Sequence, residues 1–263
     1  MTPLEALLRS EALAFSLATA RIAGMIATAP LAWSVAPLRV RAGLTLLLAF
    51  FVHGASSGSR PRPELIGELD LALAMTTEVV VGVAFGFVVR FALMVGELIG
   101  DVVTPVVGLG AAQIFDPHSR VSSGVLTTLL RHFAILIALV TGLHRVVLAG
   151  LLSSFEVLPA GGLWDPGRAA PTLLVLSAEL FASAIRIALP VLGVIFVTQL
   201  ALAFVARAAP AVQIFNVGFG ITLGVGALIL VLVLPDVGHQ LAAEFSHVPA
   251  RLERLLLELG ARR

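Results

Sequence analysis

Charged side chains placed inside long apolar runs constrain this chain more than any other feature of its sequence. A helix needs about 20 mostly apolar residues to cross the hydrocarbon core of a bilayer. Six apolar stretches stand out as helix candidates. Residues 12–31 are interrupted only by Arg21, and a shorter run covers 40–52. The run 69–95 contains Asp70, Glu78 and Arg90, and 121–152 contains Arg131, His132, His144 and Arg145. The run 173–205 contains Glu179, Arg186 and Pro190, whereas 218–234 is uncharged. An ionised side chain at a helix centre costs on the order of 2.5–3.5 kcal/mol on insertion scales. Arg90 and Glu97 are seven residues apart, as are Glu179 and Arg186. That is two turns along one face, too far to pair within a straight helix. These four residues and Glu78 are therefore expected to pair between helices or between subunits. An ion relay, structural pairing and burial against other subunits all place charge this way. Its recurrence in three segments favours burial in an assembly.

Composition narrows the class. Of the 263 residues, 59% are hydrophobic and 13% charged, against roughly 45–50% and about 25% in soluble domains. The mean hydropathy is +1.04. Even a 300-residue domain buries only about 75% of its unfolded surface, so the surplus must face lipid or other apolar protein. A soluble enzyme, a disordered regulator and a secreted disulfide scaffold are excluded. The formal net charge of +1 provides no bulk attraction for nucleic acid. Cysteine is absent, and with it any thiol nucleophile or thiolate metal site. The chain lacks G-x-x-x-x-G-K-[ST], H-E-x-x-H and G-x-S-x-G, and its six histidines form no ligand cluster in sequence. No enzymatic activity, cofactor or metal is expected.

Small residues suggest dense helix packing. Gly82–Gly86, Gly96–Gly100 and Gly220–Gly224 are each G-x-x-x-G, a spacing that lets helix backbones approach closely. Breaker-rich connections fall at 54–63, 104–119, 153–171 and 207–217. The first apolar run follows Glu5 and Glu11 with no small-residue cleavage site after it, so it reads as a retained helix and not a removed signal peptide. The tail, from about 236 to 263, is amphipathic. Leu252, Leu255, Leu256 and Leu259 lie opposite Arg251, Glu253, Arg254 and Glu258, as in an interfacial or partner-facing helix.

Four loops carry a more specific signal. The run GDVVTPVVGLGAAQIFDPHS (100–119) resembles the central loop of the FliR family of flagellar biosynthetic proteins, with Gly100–Asp101, Gly108–Leu109 and Asp116–Pro117–x–Ser119 in register. TAPLAWSVAPLRVRAGL (28–44), GLHRVVLAGLLSSFEVLPAG (142–161) and RAAPAVQIFNVGFGITLGVG (207–226) resemble other segments of that family in the same order. One departure is Val106, beside Pro105, where the family usually has glutamine. Injectisome homologues share the architecture; the aspartate–proline pair and the histidine in 142–145 favour the flagellar branch.

The resemblance implies an all-α, polytopic membrane protein with about six hydrophobic helices arranged as helical hairpins. These would pack within a multi-subunit helical export gate of type III secretion. Residues 1–235 would form the integral-membrane gate region, FliP-like first and FliQ-like from about 172, with 236–263 as the tail. One copy would join FliP and FliQ in the bacterial inner membrane, inside the flagellar basal body. FlhB and FlhA would be neighbours, and unfolded flagellar proteins would cross through the centre. The 100–119 loop would enter the channel as a plug. In it, Gly108 and Gly110 provide backbone freedom, and Leu109, Ile114 and Phe115 form the seal. Gln113 lies within the loop, which Asp116 and Pro117 end. Two alternatives remain at this point: a proton- or ion-coupled secondary transporter using Glu78, Glu179 and Arg186, and a structural scaffold that lines no channel.

Overall fold

The computed structural model describes residues 3–31, 33, 36–55, 68–109, 124–162, 165–208 and 214–260. Within them every regular element is helical: α1 (Pro3–Thr28), α2 (Leu38–Ala55), α3 (Glu68–Val106), α4 (Val125–Val140), α5 (Leu143–Val157), α6 (Ala169–Ala208), α7 (Ile214–Ser246) and α8 (Val248–Gly260), with a 3-10 turn at Pro166–Arg168. The chain is an all-α, polytopic membrane protein.

All six apolar stretches lie in helices, and they differ in length and apolarity. Three helical stretches among the described residues are long and apolar enough to cross a membrane: Leu69–Val106, Ala169–Ala208 and Val217–Gly260, or four if the broken pair α4–α5 counts as one. The physical reasons are local. α1 mixes Glu5, Arg9, Glu11 and Arg21 into an alanine-rich run, and the 18-residue α2 begins with Arg39 and Arg41. The fourth stretch is broken at Gly142, whose φ of +77° is left-handed, a conformation glycine adopts without steric penalty. Thr141, just before it, donates through its hydroxyl to Ile137 O at 2.9 Å and closes the end of α4.

The helices form two compact units, residues 1–92, 142–177 and 246–263 in the first, and 93–141 and 178–245 in the second. In the first unit α1 packs on α2 and α5 on α8. α1 also meets the beginning of α3 at backbone contact. A Cβ on Gly82 would overlap the Arg21 carbonyl, and one on Gly24 would overlap that of Val79. Gly86 lies equally close to Thr28 and Met25. The apolar stripe of the tail does not wait for a partner. Leu252, Leu255, Leu256 and Leu259 are all buried, and Gly150 of α5 gives the Leu252 and Phe85 side chains their room.

In the second unit the last turns of α3 pack on α4. Gly96 lies against Leu130 and Ala134, and Gly100 against Thr127. The buried positions of α4 (Leu126, Thr127, Leu130, Ala134 and Ala138) recur every three to four residues, the period of one helix face. α7 continues through Pro235 to Ser246. Its Gly238 accommodates Phe133 and Ile137 of α4, and Glu244 accepts a 2.6 Å hydrogen bond from Ser183 of α6.

Candidate functional site

Two features stand out: a closed charge cluster in the first unit and the root of the 100–119 loop in the second. The cluster begins with Arg21, which sits among the buried side chains of α1 at 1% exposure. Its Nε donates to Glu78 Oε2 at 2.6 Å. Nη1 donates to Ser154 O at 2.9 Å and to Ser154 Oγ at 3.2 Å, and Nη2 donates to Leu158 O at 2.8 Å. The guanidinium also lies over the Phe155 ring, 4.2 Å from its centroid.

Ser154 and Leu158 belong to the end of α5, where Ser154 O already accepts from the Leu158 N–H at 2.9 Å and the carbonyls beyond it lack a donor within the helix. The Arg21 guanidinium gives Ser154 O a second donor, gives Leu158 O one, and meets the negative end of the helix dipole. Glu78, fully buried, completes the cluster through Oε1, which accepts from the Gly161 N–H at 3.0 Å. One ion pair thus ties α1, α3, the C-terminus of α5 and the turn after it.

The loop root is built from the last turn of α3. Pro105 lacks an N–H and weakens that turn. Val107 N still donates to Val103 O at 3.0 Å, and Gly108 N donates to Pro105 O at 3.2 Å. Gly108 then turns the chain with φ +93°, a left-handed value that disfavours any side chain. Val107 is buried at 3% exposure, and Leu109 is exposed. Just before the root, Thr127 donates to Asp101 Oδ1 at 2.9 Å, and Thr104 donates to Gly100 O at 2.6 Å.

The remaining residues singled out in the sequence are scattered. Glu97 accepts from Arg131 Nη2 at 3.0 Å, with both side chains about one-third exposed. Arg90 and Arg186 are exposed, with no ion pair among the described residues, and Glu179 is half-buried on α6. Gly220 and Gly224 face open space; a Cβ on either meets nothing within 4 Å. Gly110, Gln113, Ile114, Phe115, Asp116 and Pro117 lie outside the described residues. Sequence reasoning missed Arg21 and Arg131 as the partners of Glu78 and Glu97. The available signal was that each acid in one apolar stretch had a base in another.

Apolar surface dominates what is left. The most apolar window of α3 is 61% buried, but those of α6 and α7 are only 22% and 11% buried. Phe181, Leu189, Phe196, Val197 and Phe204 of α6 and Val231 and Leu232 of α7 are all exposed.

These features define a polytopic α-helical membrane protein with broad apolar helix faces left uncovered within the chain. The chain belongs to the family of bacterial export proteins, family 1, whose family model matches residues 12–248. It is similar to flagellar biosynthetic protein FliR of Escherichia coli (strain K12), at 28% identity over 91% of each chain. FliR of Pectobacterium carotovorum subsp. carotovorum is 29% identical over 92% of each chain. FliR of Bacillus subtilis (strain 168) is 24% identical over 94% of this chain and 96% of its own. The family and these likenesses support a subunit of the flagellar export apparatus.

Proposed function

We propose that this chain is the gate subunit that completes a helical assembly with FliP and FliQ in the bacterial inner membrane. Unfolded flagellar proteins cross through the channel so formed, with FlhB and FlhA beside it. The 100–119 loop plugs that channel. A single observation carries the assembly reading: α6 and α7 leave most of their apolar surface uncovered within the chain. Lipid can cover one side of such helices. Helices apolar nearly all round are covered by lipid or by other helices, and the broad uncovered area leaves room for neighbouring subunits on these faces.

The plug reading rests on the root geometry. An apolar loop that follows a left-handed glycine can fill a pore and withdraw without breaking a long helix. The transporter reading has no comparable support. Glu78 is closed to solvent and already accepts from Arg21 and Gly161, so neither oxygen is offered to a travelling ion.

Deletion of residues 108–115 tests the plug. The assembled gate is expected to leak ions while part of its export activity persists. An unchanged leak overturns the assignment.

A further inference from the structure

The docking of α8 on α5 leaves a trough between the two helices. A Cβ on Gly150 would lie 3.1 Å from Leu252 Cδ1, and one on Gly260 would lie 3.4 Å from side-chain atoms of both Val157 and Leu158. The contacts advance in the same direction along both helices, so α5 and α8 run parallel. Between them the surface opens into a groove of about 450 Å³. Gly150, Leu252 and Leu256 form its floor, and the two leucines are only 2% and 4% exposed. One wall is Ala149, Ser153 and Val157 of α5, and the other is Pro249, Glu253 and Leu257 of α8. All six wall residues are exposed.

Each wall is the i, i+4, i+8 row of its helix, about 12 Å long at the rise of an α-helix. Such rows are the ridges that interlock when helices pack. Two parallel ridges with an apolar floor between them form a seat for about two turns of a third helix.

The side chains on the walls specify the charge of that helix. Ser153 Oγ donates its proton to Ala149 O at 2.8 Å and offers the groove only lone pairs. Glu253 forms no ion pair among the described residues, and an ionised carboxylate is an acceptor only. The walls thus present acceptors, one negative charge and no side-chain donor. A hydrocarbon chain would suit the floor but leave the carboxylate without a partner. Moreover, α8 carries Arg251, Glu253, Arg254 and Glu258 within 13 residues, a charge density that keeps it out of the hydrocarbon core. A helix that brings a lysine or arginine among apolar residues satisfies both the floor and Glu253.

We propose that the groove between α5 and α8 docks one helix of a partner protein, apolar on the face it presents and carrying a lysine or arginine that pairs with Glu253. This site is independent of the 100–119 loop and of any channel.

A photo-cross-linking residue in place of Ala149, and separately of Leu257, tests the site in cells that assemble the export apparatus, with the linked peptides identified by mass spectrometry. Both positions are expected to link to one helical segment of another protein, with a lysine or arginine within two turns of the linked residue. Glu253→Asp is expected to keep the adduct, Glu253→Gln to lower its yield severalfold and Glu253→Arg to remove it. Exchanging the partner's basic residue for glutamate is expected to restore the adduct in the Glu253→Arg chain. Glu253 is exposed, so these variants are expected to melt like the parent, which separates lost docking from lost folding. The site is overturned if both probes link only to lipid, link to nothing in an assembled apparatus, or link to segments without a basic residue. It is also overturned if Glu253→Gln and Glu253→Arg leave the yield unchanged, or if the charge exchange restores nothing. A failure of the plug, read from deletion of 108–115, leaves this site standing, and the reverse holds as well.

Discussion

The Nε of Arg21 donates to Glu78 Oε2 across 2.6 Å, with the two side chains 1% and 0% exposed. The pair adds little net stability by Coulomb attraction alone, because both charges lose their hydration. Breaking it is costly all the same. Removing either partner leaves the other buried and uncompensated, a cost of about 3–5 kcal/mol. Loss of Arg21 also takes its donor from Leu158 O.

Glu78→Gln and Arg21→Met are each expected to lower the thermal unfolding midpoint of the purified chain strongly. Glu97→Gln removes a pair that is 39% and 31% exposed and only partly enclosed by the chain, so a smaller shift is expected. Equal shifts for Glu78→Gln and Glu97→Gln, read from the same melting curves, would contradict the cluster as described.

Close backbone approach between α1 and α3 gives a second contrast. Gly82→Ala puts a Cβ into the Arg21 carbonyl, a backbone atom that cannot rotate aside. The expected cost is at least the 1–3 kcal/mol typical of overpacking. Gly43→Ala of α2 meets nothing within 4 Å. It is expected to be neutral or to gain about 0.5–1 kcal/mol, since alanine loses less entropy in a helix. Expression level and melting temperature in detergent distinguish the two.

The docking of α8 predicts a difference between neighbouring leucines. Leu255 is fully buried, and Leu257 is 59% exposed. Leu255→Ala is expected to cost about 2–5 kcal/mol and to speed trypsin cleavage after Arg251 and Arg254. Leu257→Ala is expected to remain within about 0.5 kcal/mol and to leave cleavage unchanged.

The uncovered face of α6 can be probed with single cysteines, because the chain has none of its own. Phe196 is 62% exposed and its neighbour Ile195 is fully buried. A maleimide that partitions into detergent is expected to label Phe196→Cys quickly in the isolated chain and slowly in the assembled gate. Ile195→Cys should resist labelling in both. Equal labelling of Phe196→Cys before and after assembly would show that FliP and FliQ do not cover this face.

Helical type was legible because apolar runs of this length satisfy their backbone hydrogen bonds in a membrane only as helices or closed barrels. The need of Glu78 and Glu97 for partners was legible too, since charge inside an apolar run is costly wherever it lies. The identity of the partners was not. Arg21 and Glu78 are separated by 57 positions, and no local spacing rule relates residues on different helices. The contribution of Ser154, Leu158 and Gly161 was hidden for the same reason. A helix end becomes a ligand for a guanidinium only once another helix brings the guanidinium there. All six apolar stretches became helices, but apolar length does not register a turn such as Gly142, which breaks the fourth stretch into two.

Glycine spacing shows the division most clearly. The G-x-x-x-G pattern marks faces that permit close approach, and it does so equally for Gly82–Gly86 and for Gly220–Gly224. The first pair is filled by α1, the second is open, and the occupied notch on α7 is Gly226. By itself the sequence determined an all-helical membrane protein of an export family, because bilayer solvation and recurring motifs act along the chain. Which charges met, which glycines were filled and where the loop root came to rest were decided by tertiary structure, since each depends on the depth and rotation of one helix against another.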